Sequence, residues 1–376
     1  MKIAEVVSTF FPHFGGMGLV CEEESDGLSN QGHDVTVFTL RYPSVRYAQN
    51  LFLFNIERLF PLVKMGDAGL IPQLSRRLRD FDIVHLHYPF YGGAEWVWWA
   101  KKFFGKKYFV TYHMMASPSG LAKRFVQKVY DFVWQKRILL GAEKILVVDK
   151  KYWSALPFAK EIPEDRVVEF PNGVNLKIFS PGSADWNMIE LKDWQKKKMI
   201  LFVGNLLLLK KLDLLIRALA KIQNDDWRLV IVGGGYEEMH YQKLVSDLGL
   251  KNKVKFAGYC FDREKLVEYY RAAWVSVLPT DNESFSLVAI ESLACGTPVI
   301  LSADSGGANR ITTKENGWTF VPGSEESLRS ALVQSLSVSV EDHQGGVKLR
   351  RDSIVDYDWN NHNLRLEQIL DSEYGK

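Results

Sequence analysis

The chain has few of the residues that would tie it to an oxidising compartment. Only three cysteines, Cys21, Cys260 and Cys295, occur in 376 residues. They are far apart, odd in number and not in metal-ligand spacing, which argues against a disulfide framework or a cysteine zinc site and for a reducing compartment. Long hydrophobic runs are also missing. No stretch of about 18 apolar residues exists to span a bilayer. The opening MKIAEVVSTFFPHFGG lacks the apolar core and small-residue cleavage site of a secretory signal. Nor is there an excess of one charge. The 47 basic and 45 acidic side chains leave a net +2, so nothing calls for nucleic acid as a partner. The expected location is the cytoplasm, including the inner face of the cell membrane.

What is present is ordinary globular material: 47% hydrophobic and 24% charged residues. At roughly 150 residues per domain the length implies two or three domains. Short apolar runs rich in Val, Ile and aromatics read as buried strands: KIAEVVS, HDVTVFT, FDIVHLHY, KYFVTYH and EKILVVD. Helix-like segments over 18–31, 71–79, 93–104 and 121–140 separate several of them. The rhythm restarts with KMILFVG, WRLVIVGGG, KVKFAGY, WVSVLP and TPVILS, with helical segments at 211–223, 236–248, 263–272 and 285–295. This alternation predicts two doubly wound α/β domains with parallel sheets. The join falls in PNGVNLKIFSPGSADW, punctuated by Pro171, Gly173, Pro181 and Gly182. The first domain is expected over 1–172 and the second over 173–357. A last helix, about 358–376, is expected to cross back to the first domain. Residues 43–70 carry no legible pattern. Ligands of open α/β sheets bind outside the strand carboxyl ends, so the expected site is a cleft between the domains.

Several local patterns carry chemistry. Gly15-Gly16-Met17-Gly18 follows the first strand and precedes a helix, where backbone can approach a ligand and helix amides can meet an anion; a plain tight turn reads equally well. Gly204-Asn205, followed by Lys210-Lys211 at a helix start, suits phosphate charge but not the P-loop spacing. Gly233-Gly234-Gly235 closes a strand, but Glu238 stands where a dinucleotide fingerprint needs its third glycine; room for a planar base is the other reading. The strongest constellation is PTDNESFSLVAIESLACGTPVI. In it Glu283 precedes the helix start Ser284-Phe285-Ser286-Leu287, and Glu291 lies about two turns inside. Carboxylates there can accept paired hydrogen bonds from sugar or ribose hydroxyls. His113 ends a strand, where a satisfied structural histidine is the ordinary reading. His85 and His87 end another, and no partner spacing marks them as ligands.

PNGVNLKIF, LFVGNLLLLKKLDLLIRAL, RLVIVGGG, the glutamate-pair segment and SGGANRI together resemble the retaining glycosyltransferases of family GT4. That resemblance implies the GT-B fold, two Rossmann-like domains facing across a cleft. The second domain would bind a nucleotide diphospho-sugar (UDP- or GDP-linked) and the first an acceptor, a glycan or a lipid-linked glycan. It also implies roles. Glu283 would touch the donor sugar hydroxyls, Glu291 the ribose, Lys210 the diphosphate, and His113 the sugar beside the reacting carbon. Gly16 would let the backbone close over the diphosphate, and Gly15, Gly204, Gly234, Ser284, Phe285, Ser286 and Leu287 would line the donor. No metal or other cofactor would be needed, since lysine, helix amides and glycine loops take the cation's place. The chain departs from the family at Asn205, where arginine is usual, at Lys211, where glycine is usual, and at Arg310, where glutamate is common. An epimerase on the same fold, a dinucleotide oxidoreductase and a non-catalytic partner subunit are the competing readings. Finally, residues 96–137 hold nine basic side chains and one acid, Asp131, among twelve aromatics from Trp96 to Trp134. That mixture suits an anionic membrane surface as well as it suits a core with solvated lysines.

Overall fold

A computed structural model of the chain describes residues 1–12, 15–42, 52–114, 121–280, 283–306, 308–313 and 315–374. Most of loop 114–124, part of loop 41–70, Asp281, Asn282, Gly307 and the side chain of Arg310 lie outside the described residues. The chain divides into two compact units, one of residues 1–172 with 359–376, the other of 173–358.

The first unit carries β1 (Lys2–Val6), β2 (Asp34–Leu40), β3 (Asn55–Leu59), β4 (Lys64–Met65), β5 (Ala68–Gly69), β6 (Ile83–Tyr88), β7 (Lys107–Tyr112), β8 (Ile145–Val147) and β9 (Val167–Glu169). Seven of these form one sheet in the order β3-β2-β1-β6-β7-β8-β9, and β4 and β5 make a separate small antiparallel ladder. Every pairing in the large sheet is parallel. Because strand side chains alternate faces, two cores result. Ala4, Val6, Val84, Leu86, Tyr108 and Val110 pack with the helices Ala94–Phe104 and Lys136–Gly141. Ile3, Val37, Ile83, Phe109 and Leu146 face the other layer, made by the helices Gly16–Asn30 and Trp359–Tyr374. Leu366 and Leu370 of the last helix are fully buried there, and truncating either to alanine is worth about 2–5 kcal/mol.

The second unit holds β10 (Lys198–Val203), β11 (Trp227–Val232), β12 (Val254–Gly258), β13 (Ala273–Leu278), β14 (Val299–Ser302) and β15 (Gly317–Phe320), in the order β12-β11-β10-β13-β14-β15. All pairs are again parallel. Ile200, Phe202, Leu229, Ile231, Val275 and Val277 bury against the helix Leu212–Ala220 and against Leu328 and Leu332 of the helix Glu325–Ser337. In each sheet the chain leaves one central strand, β1 or β10, to build outward on one side and then returns to the other. That reversal leaves a crevice at the strand carboxyl ends, between β1 and β6 in the first unit and between β10 and β13 in the second.

Candidate active site

The second unit's crevice gathers most of the expected residues. After β10 the chain passes Gly204 and Asn205 into a single turn, Leu208–Lys210, and then the helix Leu212–Ala220. Lys211 joins the two with φ 50° and ψ 35°. That is the left-handed region glycine occupies without penalty, a backbone reason for glycine to be usual at this position. After β13 the chain reaches Glu283. The Lys210 Nζ donates to both carboxylate oxygens of Glu283, at 3.1 and 3.0 Å. These residues are 73 positions apart and lie on the segments that follow the two strands flanking the reversal. Both side chains keep some solvent exposure, 23% and 19%, so a ligand can reach them.

Ser286 caps the helix Leu287–Ala294, its Oγ accepting from the Ala289 amide at 3.2 Å. Ser284, Phe285 and Ser286 are buried and Leu287 is half-buried. No acidic side chain occupies the first helical turn, so the helix's N-terminal amides keep their preference for a negative ligand. Glu291 is nearly buried, and Tyr270 donates its hydroxyl to Glu291 Oε2 at 2.7 Å. The Glu283 carbonyl in turn accepts from the Gly306 amide at 2.6 Å. A Cβ on Gly306 would stand 1.9 Å from the Ser284 carbonyl oxygen. The backbone carrying the two carboxylates is therefore clamped by a glycine whose structural part its position in the sequence did not reveal.

The glycine run after β11 has a different surrounding from the one its composition suggests. A Cβ at Gly233 would meet the Gly204 carbonyl at 2.0 Å, one at Gly235 the Leu206 carbonyl at 2.4 Å, and one at Gly234 the ring of Tyr259 at 2.5 Å. At all three positions the atoms that demand glycine belong to this chain. Gly234 is buried, and its carbonyl accepts from the Leu206 amide at 2.9 Å.

In the first unit Gly15 precedes the helix Gly16–Asn30, with open space around its Cα and ordinary extended backbone, φ −167°. Gly18 is the tight position. A Cβ there would meet the Thr9 carbonyl at 2.8 Å. His113 follows β7, buried, its Nε2 at 2.9 Å from His87 Nδ1 and its ring stacked on that of His87. Burial, with His87 and His85 adding repulsion, holds its pKa well below the usual histidine range. His113 is therefore neutral near pH 7, with one ring nitrogen committed to the protein. His87 and His85 are fully buried and bonded to Glu5.

The basic, aromatic stretch separates by face. Trp96, Trp98 and Trp134 pack against the core. Phe103, Phe125 and Phe132 are exposed, the last at 88%. Among the described residues no helix is long and apolar enough to cross a membrane. The three cysteines are free.

Two doubly wound parallel sheets of this design make the GT-B architecture. Two family models match most of the chain between them, Glycosyltransferase Family 4 over residues 14–178 and Glycosyl transferases group 1 over 187–344. The chain belongs to this family of glycosyltransferases. It is 30% identical over 338 residues to the D-inositol 3-phosphate glycosyltransferase of Acidothermus cellulolyticus, covering 81% of this chain and 74% of the relative. Its fold matches sucrose-phosphate synthase from Thermosynechococcus elongatus with TM-score 0.82 at 23% identity, over 100% of this chain and 99% of that one. It also matches Anabaena HepE in complex with UDP and glucose, with TM-score 0.81 at 16% identity, over 99% and 100% of the two chains.

Proposed function

We propose that the enzyme moves a sugar from a nucleotide diphospho-sugar, UDP- or GDP-linked, to a hydroxyl of a glycan or lipid-linked acceptor, with retention of anomeric configuration. The observation that carries the reading is the Lys210–Glu283 pair at the carboxyl ends of β10 and β13, beside the N-terminus of Leu287–Ala294. A leaving diphosphate develops negative charge, and a fixed ammonium with helix amides meets that charge as it forms. When donor binds, Lys210 shares itself between the phosphates and Glu283. The carboxylate of Glu283 then accepts from sugar hydroxyls, and Glu291, held by Tyr270, accepts from the ribose. Gly204, Asn205, Lys211, Gly234 and the Ser284–Leu287 turn serve the same donor, and Gly15, Gly16 and neutral His113, as a hydrogen-bonding group, are the first unit's residues for substrate. Names of relatives support the sugar-transfer part of this reading: one is a D-inositol 3-phosphate glycosyltransferase, and a structural neighbour is held with UDP and glucose.

The leaving phosphate takes the acceptor proton on the same face. The diphosphate needs no divalent cation, so turnover should not depend on added magnesium or manganese. The test is donor hydrolysis and transfer against a panel of UDP- and GDP-sugars, with the product anomer read by NMR. Lys210→Ala should lower kcat about 100-fold, equivalent to ~3 kcal/mol of transition-state stabilisation. Turnover unchanged at saturating donor would remove Lys210 from the site, and an inverted anomer would end the retaining assignment.

A peripheral membrane acceptor site is favoured by one further observation. Exposed Phe103, Phe125 and Phe132 accompany exposed Lys128, Lys136 and Arg137 in the same stretch, a composition that suits an anionic interface. Co-sedimentation with vesicles containing anionic lipid, lost at raised salt or in Phe132→Ser, would support it. Equal recovery in the supernatant with and without vesicles would leave a soluble acceptor.

A further inference from the structure

The face of the first sheet that meets the helices Gly16–Asn30 and Trp359–Tyr374 is mainly apolar around a buried cluster of charged and polar side chains. There Glu5 of β1, His85 and His87 of β6, and Glu24 of the helix Gly16–Asn30 come together, all completely buried. His85 and His87 share a face because they are two apart on a strand, and the parallel register sets Glu5 opposite His85.

Hydrogen bonds among these four do not close. Glu5 Oε2 lies 2.9 Å from both His85 Nδ1 and His87 Nε2. Glu24 Oε2 has no hydrogen-bond partner although it is buried. It points at the same two nitrogens from 3.7 and 3.6 Å. A buried carboxylate oxygen without a donor is costly unless a cation serves it. One atom from each residue lies within 4.8 Å of every other. Tetrahedral bonds of 2.0–2.1 Å to nitrogen or oxygen place neighbouring ligand atoms about 3.3 Å apart, midway between the short and long separations seen here. The outward atoms of three of these side chains are already anchored. His85 Nε2 is 2.7 Å from Thr111 Oγ1, His87 Nδ1 is 2.9 Å from His113 Nε2, and Glu24 Oε1 is 2.8 Å from His362 Nε2. Such outer partners orient metal ligands and fix the imidazole tautomer.

We propose that Glu5, Glu24, His85 and His87 form a four-coordinate site for a divalent transition metal of the zinc class. Two nitrogens and two oxygens without sulfur suit zinc, and also iron(II), manganese(II) or cobalt(II). The ion balances the two buried carboxylates and ties β1, β6 and the helix Gly16–Asn30 at one point, with His362 bracing it from the last helix. It is a structural site inside the first unit, distinct from any cation at the donor diphosphate. Without the ion the same cluster is a proton network. Burial drives His85 down, but Glu5, its hydrogen bond and Glu24 outweigh this and hold it up to about 9.

The test is metal content of the full-length protein. Chain expressed with supplemental zinc and then desalted should carry about one zinc per chain, and chain grown in cobalt should show the strong visible absorption of four-coordinate cobalt. Glu24→Gln, which keeps shape and removes the charge, should lower metal content at least tenfold. Less than a tenth of an equivalent under zinc, iron, manganese and cobalt supplementation would overturn the proposal in favour of the proton network. So would zinc content unchanged in Glu24→Gln. If Glu24→Gln does not fold, the wild-type cobalt spectrum decides. A weak six-coordinate spectrum, or none, refutes the site. None of these readouts depends on glycosyl transfer.

Discussion

Gly306→Ala is the sharpest probe of the clamp on the glutamate loop. A methyl at this position starts 1.9 Å from the Ser284 carbonyl oxygen and 2.6 Å from its carbon, and real Cβ contacts essentially never fall under 3.0 Å. The gap must therefore open by at least about 1.1 Å, and the obstacles are backbone rather than a side chain that can rotate away. The same movement breaks the 2.6 Å bond from the Gly306 amide to the Glu283 carbonyl. Displacing a substrate-positioning group by about 1 Å costs on the order of 100-fold in rate, and overpacking of this kind costs about 1–3 kcal/mol of stability. For a unit of this size each kcal/mol lowers Tm by about 2–4 °C. The assay pairs kcat/KM for the donor with a thermal melt, and Gly345→Ala is the control. Gly345 is helical, with nothing within 4 Å of an added Cβ and no left-handed backbone, so it should melt at or slightly above the wild-type temperature. If Gly306→Ala keeps kcat/KM within threefold of wild type and melts unchanged, the clamp is not what positions Glu283.

Three other substitutions read neighbouring features. Tyr270→Phe removes the donor to Glu291 Oε2; it should cost about 1.5–3 kcal/mol in a melt and weaken nucleoside diphosphate binding several-fold by calorimetry, and unaltered affinity would separate Glu291 from the nucleotide. Lys211→Gly relieves a left-handed backbone worth about 1–2 kcal/mol, less glycine's own entropic cost, so the variant should melt at or above wild type. If it also loses more than tenfold in kcat/KM, the Lys211 ammonium serves the diphosphate; unchanged kinetics would assign this position to the backbone. Glu283→Gln leaves Lys210 without its carboxylate partner. Bare nucleoside diphosphate should then bind more tightly while kcat falls, and weaker nucleotide binding would contradict the sharing of Lys210.

The sheets were legible where strands are buried on both faces. β1, β2, β6, β7 and β8 in the first unit, and β10, β11, β13 and β14 in the second, are mainly apolar runs with nearly every residue buried, while β12, at a sheet edge and mostly half-buried, showed through Val254 and Phe256. β3, β9 and β15 did not announce themselves. They sit at sheet edges, are three to five residues long and are only partly buried, so NIERL, VVE and GWTF carry too little apolar pattern. At the site, a glycine turn and lysines before a helix, with a glutamate before another, marked Lys210 and Glu283. Their direct pairing follows from strand order and needed the fold. The Glu5–Glu24–His85–His87 cluster was illegible because three elements supply it: Glu5, His85 and His87 interrupt apolar strands, and Glu24 is one of three consecutive glutamates on a polar helix. His-x-His on one strand face is the signal that spacing offered. Close approach behind Gly18 and Gly306 leaves no trace in composition at all.

The helix Trp359–Tyr374 belongs to the first unit although the whole second unit precedes it in the chain. Its docking draws on both hydrogen bonds and apolar packing: His33 meets Glu367 at 3.0 Å, His362 meets Glu24, and Leu366 and Leu370 fill the apolar layer. During synthesis, then, the unit begun first is finished last. The nascent sheet of the first unit waits with one apolar flank only partly covered, by the helix Gly16–Asn30, until residues 359–374 are translated, whereas the later unit closes on residues already made. A premature stop before residue 359 should therefore yield an aggregation-prone first half beside an intact second one.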